Sequence, residues 1–139
     1  MVDIDNFKAV NDALGHEWGD KVLRAVSEIL RCNVRQADFV ARYGGEEFAV
    51  ILPETEVVNA CRLGERLCQA IRENPMDSPR GSLLVTVSIG ASSNLFATNE
   101  PQALDRDADQ ALYLAKRRGK DRVECLPTAL RDVSASLQA

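Results

Sequence analysis

The segment that most constrains the fold is a pair of apolar runs, residues 39–43 and 48–52, separated by Gly-Gly-Glu-Glu at 44–47. Two short apolar runs joined by a glycine-containing turn predict a β-hairpin. Glycines tolerate positive φ and let a ligand approach the backbone closely. Adjacent carboxylates at a hairpin tip repel each other, but they suit a hard divalent cation held against phosphates. The tip is therefore a candidate site for a metal and a phosphorylated ligand.

A second acidic segment opens the chain. Residues 1–5, Met-Val-Asp-Ile-Asp, read as the end of a strand that leads into a helix. A strand end and a hairpin tip can bring Asp3 and Glu46 to one point in space. The alternative for each side chain is a solvated turn acid. The presence of both motifs in one chain favours the joint site.

Apolar periodicity predicts four helices: residues 5–14, a longer helix that begins at Trp18 or Asp20, a third opened by Thr55, and a fourth that ends at Gly119. Residues 83–91 and 122–126 have the pattern of strands, whereas 74–82 and 92–100 read as loops. Helices that alternate with strands and one hairpin predict a single mixed sheet covered by helices.

Composition limits the classes of function. The chain has 139 residues, 45% of them hydrophobic, which is enough for one domain with its own core. Its net charge of −4, with both signs interspersed, disfavours a nucleic acid partner. No apolar run reaches the length of a membrane span and no signal peptide is visible, so we expect a cytoplasmic domain.

The cysteines are not spaced as metal ligands. Their positions are Cys32, Cys61, Cys68 and Cys125. In a cytoplasmic chain this spacing favours buried, reduced thiols over disulfides.

Five ordered segments carry a specific resemblance. They are Asp3-Ile4-Asp5-Asn6-Phe7-Lys8-Ala9-Val10-Asn11-Asp12, Gly15-His16-Glu17-Trp18-Gly19-Asp20, Arg42-Tyr43-Gly44-Gly45-Glu46-Glu47-Phe48, Val85-Thr86-Val87-Ser88-Ile89-Gly90 and Ala108-Asp109-Gln110-Ala111-Leu112-Tyr113-Leu114-Ala115-Lys116. From residue 3 to about 123 the chain resembles the GGDEF domain of diguanylate cyclases, in its Gly-Gly-Glu-Glu-Phe variant. The resemblance implies an α+β fold, with a central, mostly antiparallel sheet flanked by helices, similar to nucleotide cyclases and polymerase palms. We expect the catalytic domain at 1–125 and a tail at 126–139.

The chain departs from the family at its start. Family members usually have a helix and most of a first strand before the Asp-Ile-Asp segment, whereas here Asp3 follows two residues. The sequence leaves the position of Asp3 open.

The implied reaction joins two GTP molecules into cyclic di-GMP and releases two pyrophosphates, with Mg²⁺ or Mn²⁺ as cofactor. By resemblance, the metal ligands are Asp3, Glu46 and the carbonyl of Ile4. Gly44 and Gly45 form the catalytic turn. Glu47 is either a ligand of a second metal or a base for the attacking hydroxyl.

The resemblance also implies the residues that bind substrate. Asn11 and Asp20 match the contacts to guanine. A carboxylate can accept hydrogen bonds from two neighbouring donors of guanine, and adenine lacks this pair of donors. The contacts expected at the phosphates are Phe7, Lys8, Lys116 and Lys120. Lys120 stands where the family usually has arginine, so we expect weaker binding of the triphosphate. His16, the only histidine, is expected to be packed or to cap a helix.

Arg35 and Asp38 match the Arg-x-x-Asp inhibitory site for the product, with five residues between Asp38 and Gly44. Their types fit guanine and phosphate. The implied partners are GTP, cyclic di-GMP, a second copy of the domain, and an N-terminal sensory or dimerisation domain, in a protein that is cytoplasmic or attached to a membrane. The alternatives are a catalytically silent GGDEF domain that binds GTP or cyclic di-GMP, and a purely structural dimerisation module.

Overall fold

A computed structural model describes residues 1–94 and 101–127, and the side chains of all these except Pro101 and Pro127. The helices in this part of the chain are α1 (Phe7–Leu14), α2 (His16–Cys32), α3 (Val57–Arg72) and α4 (Pro101–Arg117). The strands are β1 (Val2–Ile4), β2 (Phe39–Arg42), β3 (Glu47–Ile51), β4 (Met76–Ser78), β5 (Gly81–Leu83), β6 (Val87–Ser93) and β7 (Val123–Pro127).

Five of these strands form one sheet in the order β2-β3-β1-β6-β7. The pairs β2–β3, β3–β1 and β1–β6 are antiparallel, and only β6–β7 is parallel. This sheet and its four helices confirm the predicted α+β fold. The short strand β1 lies at the centre of the sheet, with Asp3 opposite Glu47 on one side and Ser88 on the other.

The core is aliphatic and joins β1, β3 and β6 to α2 and α3. Val2, Ile4, Val22, Leu30 and Val87 are almost completely buried there. Helix α4 packs directly on β6, since a Cβ at Gly90 would collide with the backbone of Ala108 and Leu112. Burial of apolar side chains on both neighbouring strands, β3 and β6, holds the short strand β1 in place.

Several boundaries differ from those predicted. Helix α1 begins at Phe7 because Asn6 adopts a left-handed conformation (φ 54°), and α2 begins at His16, directly after Gly15. The predicted loop at 74–82 contains a separate hairpin, β4–β5. Strand β6 extends to Ser93, and the rest of the predicted connection, residues 95–100, lies outside the described residues. So does the predicted tail beyond Pro127.

The prediction that all four cysteines are reduced is wrong. A disulfide joins Cys61 on α3 to Cys125 on β7, with the two Cα atoms 6.4 Å apart. Cys32 is a free exposed thiol and Cys68 a free buried one. The pair is 64 residues apart in sequence, and only the packing of α3 over β7 brings the two together. None of the described helices is both long and apolar enough to cross a membrane.

Candidate functional site

The hairpin tip is a rigid turn. The backbone N–H groups of Tyr43 and Gly44 both donate to the Glu47 carbonyl, at 2.8 and 3.2 Å. The Arg42 guanidinium donates to the carbonyls of Gly44 (3.1 Å) and Gly45 (2.8 Å). These bonds fix both glycines, so the direction in which the tip carboxylates leave the turn is fixed as well.

The end of β1 meets this tip. The Ile4 N–H donates to the Glu46 carbonyl at 3.1 Å, which fixes the first acidic segment against the second. Asp3 is 5% exposed, and its Oδ2 lies 3.0 Å from Lys116 Nζ on α4. Three distant parts of the sequence therefore converge on one point. The pairing of β1 with both neighbours settles the position of Asp3, which the sequence left open.

At this point the negative charge of the carboxylates exceeds the positive charge of the neighbouring ammonium. Burial raises the pKa of Glu46, and the nearby carboxylate of Asp3 raises it further, while the ammonium of Lys116 opposes both. Two carboxylates that disfavour each other's charge are stabilised when a cation comes between them.

The donor set fits a hard divalent cation. Asp3 and Glu46 supply carboxylate oxygens, and Ile4, between Asp3 and Asp5 at the strand end, supplies a main-chain carbonyl. Within residues 1–94 and 101–127, no group of three or more His, Cys, Asp or Glu side chains is arranged to hold a metal alone. Mg²⁺ is commonly held by one or two carboxylates together with oxygens of a phosphorylated substrate. The site therefore suits a metal that arrives with its substrate.

A cleft of about 500 Å³ opens beside the tip. Its walls include the four expected substrate residues of α1 and α2, namely Phe7, Lys8, Asn11 and Asp20, and it reaches Gly45 and Glu46. A second cleft of about 380 Å³ between β3, β6 and α3 is lined mainly by apolar residues and includes none of the site carboxylates. The cleft at the tip is the one in which charged and polar groups converge.

Asn11 and Asp20 differ in their surroundings. Asp20 is exposed, whereas Asn11 is half-buried and its Oδ1 atom has no hydrogen-bond partner among the described residues. A Cβ at Gly19 would collide with this oxygen and lie 3.2 Å from the Phe7 ring. The absence of a side chain at Gly19 thus lets Asn11 reach its position. Sequence reasoning gave Gly19 no role, although it lies inside a quoted motif.

Two of the three lysines expected at the phosphates contact residues of the β1–α1 junction. Lys116, on α4, contacts Asp3. Lys120 follows the end of α4 and donates to Asn6 Oδ1 at 2.6 Å. Lys8 is exposed at the start of α1. Of these three lysines only Lys8 lines the cleft, whereas Lys116 and Lys120 contact Asp3 and Asn6 at the β1–α1 junction.

Two further residues line the cleft. His16 is exposed there and makes no side-chain cap bond to α2, so the expectation that it is packed or caps a helix is not met. Arg42 also lines the cleft, and sequence reasoning missed it. Its place immediately before the Gly-Gly turn was the available signal, because an arginine there can bond the turn carbonyls.

Arg35 and Asp38 are joined on the far side of β2 from the tip. The guanidinium donates to Asp38 Oδ1 (3.1 Å) and Oδ2 (3.3 Å), and also to Thr55 Oγ1 at 2.8 Å. Burial acts to raise the pKa of Asp38, but hydrogen bonds from Arg35 and its charge outweigh burial, so the pKa lies below its ordinary value. Arg35 itself keeps 62% of its side chain exposed.

Comparison with known proteins identifies the family. The family described as "Diguanylate cyclase, GGDEF domain" matches residues 1–122. Diguanylate cyclase DgcP of Pseudomonas aeruginosa is 48% identical over 125 residues, which cover 89% of this chain and 18% of that protein.

Solved structures agree. The GGDEF domain of DgcB from Caulobacter crescentus in complex with c-di-GMP superposes with a TM-score of 0.81 at 33% identity, over 89% of this chain and 74% of that one. The active GGEEF domain of a diguanylate cyclase from Vibrio cholerae gives 0.79 at 35% identity, over 91% and 79%. The chain spans less than a third of the curated relatives it matches first. It belongs to the GGDEF domain family of diguanylate cyclases.

Proposed function

We propose that this domain is a diguanylate cyclase, which condenses two GTP molecules into cyclic di-GMP and releases two pyrophosphates. The observation that carries the proposal is the junction of β1 with the hairpin tip. The Ile4–Glu46 backbone bond places the acidic pair Asp3 and Glu46 beside a polar cleft. The family membership and the relatives named as diguanylate cyclases support the same activity.

Mg²⁺ or Mn²⁺ would be held by the carboxylates of Asp3 and Glu46 and the carbonyl of Ile4. When bound, such an ion neutralises charge on the phosphates and acidifies the 3′-hydroxyl that attacks. Glu47 stands directly opposite Asp3 in the sheet and serves either a second ion or the deprotonation of that hydroxyl. Gly44 and Gly45 keep the tip free of side chains, so a nucleotide can approach the backbone.

The cleft would hold the guanine base of GTP at one end and its phosphates at the other. Asn11 and Asp20 read the base, since a carboxylate accepts from the two donors of guanine and an amide completes the edge. The start of α1 at Phe7 and Lys8 presents backbone N–H groups to the phosphates. Lys116 and Lys120, which contact Asp3 and Asn6 outside the cleft, would add positive charge near the phosphates.

One domain of this kind holds one GTP, so the reaction needs two domains facing each other. We therefore propose a homodimer as the active form, brought together in the full protein by an N-terminal sensory or dimerisation domain. The catalytic domain extends over residues 1–125, followed by a tail at 126–139. Its place of action is the cytoplasm, where GTP is made, in a protein that is free or attached to a membrane.

We also propose that Arg35 and Asp38 bind the product. The exposed guanidinium of Arg35 can stack on guanine and meet a phosphate, while Asp38 is kept charged. Arg35→Ala should abolish binding of cyclic di-GMP in calorimetry without GTP and leave the initial rate nearly unchanged. Arg31→Ala, at an exposed arginine in the last turn of α2, is the control. Equal binding by wild type and Arg35→Ala would remove this residue from the inhibitory site.

The activity is tested by incubating the domain with Mg²⁺ or Mn²⁺ and either GTP or ATP, followed by chromatography of the products. We expect cyclic di-GMP from GTP and no cyclic dinucleotide from ATP. If GTP binds but no product forms in any concentrated sample, the chain is a silent receptor of the same family. If a thermal shift with GTP and the metal is also absent, it is a structural module.

A further inference from the structure

The loop that follows α4 has an unusual backbone. Gly119, Lys120 and Asp121 have φ values of 115°, 63° and 47°, so three consecutive residues are left-handed. Two of them carry side chains, which disfavour this conformation. Such a loop persists only when contacts from the surrounding structure hold it. The loop carries Lys120, whose ammonium donates to Asn6 in the β1–α1 turn.

Two groups hold the loop at Asp121. Asp5, which is 7% exposed, accepts the Asp121 N–H at Oδ2 (3.1 Å). The same carboxylate accepts the hydroxyls of Thr86 (2.8 Å) and Ser88 (2.7 Å), which fix its orientation. From the other side, Arg72 of α3 donates to both carboxylate oxygens of Asp121, at 2.7 and 2.9 Å. We call Asp5, Asp121 and Arg72 the loop latch.

The latch acts next to a second left-handed residue. Asn6 (φ 54°) accepts from Lys120 Nζ and immediately precedes α1, whose first residues line the cleft. Asp5 therefore bonds the loop through Asp121, and its neighbour Asn6 bonds the loop through Lys120. Neither the loop latch nor Lys120 lines the cleft, and Lys120 is linked to it through Asn6, the residue directly before Phe7. The loop latch can influence a nucleotide only through the residues that it holds.

We infer that the loop latch positions Lys120 for the phosphates of the nucleotide, so that Asp5, Asp121 and Arg72 are positioning residues. The inference rests on the proposed function, because it assigns Lys120 to GTP. Lysine lacks the rigid two-pronged donor geometry of arginine and has a flexible stem. The observed restraints on Lys120 are therefore the held backbone of the loop and the bond from its ammonium to Asn6. The latch supplies that hold from α3 and β1.

Arg72→Ala is a suitable probe because Arg72 and Asp121 keep 42% and 31% of their side chains exposed, and a pair this exposed contributes little to global stability. The matched control is Arg66→Ala, on the same helix, whose guanidinium bonds the Asn33 carbonyl instead. The measurements are amide exchange of the Asp121 N–H by NMR, and calorimetric titration in Mg²⁺ with guanosine and with 3′-deoxy-GTP, which stands in for GTP because it lacks the attacking hydroxyl. Each titration is repeated in the Lys120→Ala background.

We expect Arg72→Ala to speed exchange at Asp121 and to weaken GTP about three- to tenfold, with guanosine unchanged. Its effect on GTP should disappear in the Lys120→Ala background, and Arg66→Ala should match wild type. Equal losses for GTP and guanosine, or an undiminished effect without Lys120, would mean a merely structural role. If wild type makes cyclic di-GMP and Arg72→Ala binds GTP normally, the inference is wrong and the proposed function stands. If wild type does not bind GTP, both the inference and the proposed function fail.

Discussion

Asp3 and Glu46 are forced together by the backbone, because the bond from Ile4 N–H to the Glu46 carbonyl joins the two acidic segments. Lys116 offsets the charge of Asp3, yet the pKa of Glu46 remains raised by burial and by Asp3. The charged carboxylates at this point thus lower the stability of the folded state when no cation is bound. Residues held at such a cost are typical of functional sites.

The raised pKa of Glu46 makes a prediction about stability in metal-free buffer. The folded state binds the proton of Glu46 more tightly than the unfolded state. Its contribution to the free energy of unfolding therefore falls as the pH rises from the ordinary carboxyl range through the raised pKa. Glu46→Gln should melt at a higher temperature than wild type near pH 7.5, and the difference should shrink towards pH 4. A variant that melts below wild type at every pH would contradict this assignment of charge.

At the scale of elements, the sequence predicted most of the helices and strands that depend on local sequence patterns. The hairpin, the four helices and the strand that contains Gly90 follow from periodicity and glycine placement. The two-residue shift at the start of α1 was not predictable, because Asn6 takes a left-handed turn stabilised by Lys120, 114 positions away. The convergence of Asp3 with the tip was expected only by resemblance. The roles of Gly19 and Arg42 depend on tertiary contacts that leave no periodic signal.

The disulfide between α3 and β7 is the element-scale feature that the sequence missed, and thiol counting tests it. The exposed Cys32 should react with a maleimide in the native protein, whereas Cys68, whose pKa burial raises to about 12, should not. Denaturation without reductant should expose both free thiols, and reduction should release the pair as well. Reduction should lower the free energy of unfolding by about 2–4 kcal/mol.

The control for that experiment is Cys61→Ser, which should melt like the reduced protein and ignore the reductant. Reaction of all four cysteines in denaturant without any reductant would show that the pair is not bonded.

At the scale of the whole molecule, the described residues form a five-stranded sheet with four helices and a polar cleft beside the hairpin tip. The proposed reaction needs two such clefts that face each other. The rate of the isolated domain should then be limited by the encounter of two copies.

The rate per subunit should rise with protein concentration if the active form is, as proposed, a dimer of GTP-loaded domains. Chromatographic assays over a hundredfold range of concentration, with light scattering on the same samples, measure this. Fusion to a dimeric coiled coil should remove the dependence. A constant rate per subunit in samples that scatter as monomers would mean that one chain completes the reaction alone.

The proposed role of the junction of β1 with the hairpin tip is that of the catalytic centre of a diguanylate cyclase. Its most direct test is the rate of cyclic di-GMP formation from GTP and Mg²⁺ by wild type, Glu46→Gln and the control Glu65→Gln, an exposed acid on α3. Circular dichroism confirms that each variant is folded. We predict at least about a hundredfold loss for Glu46→Gln, since each 1.36 kcal/mol lost from the transition state is tenfold in rate, and no loss for Glu65→Gln. An undiminished rate in folded Glu46→Gln would contradict the account.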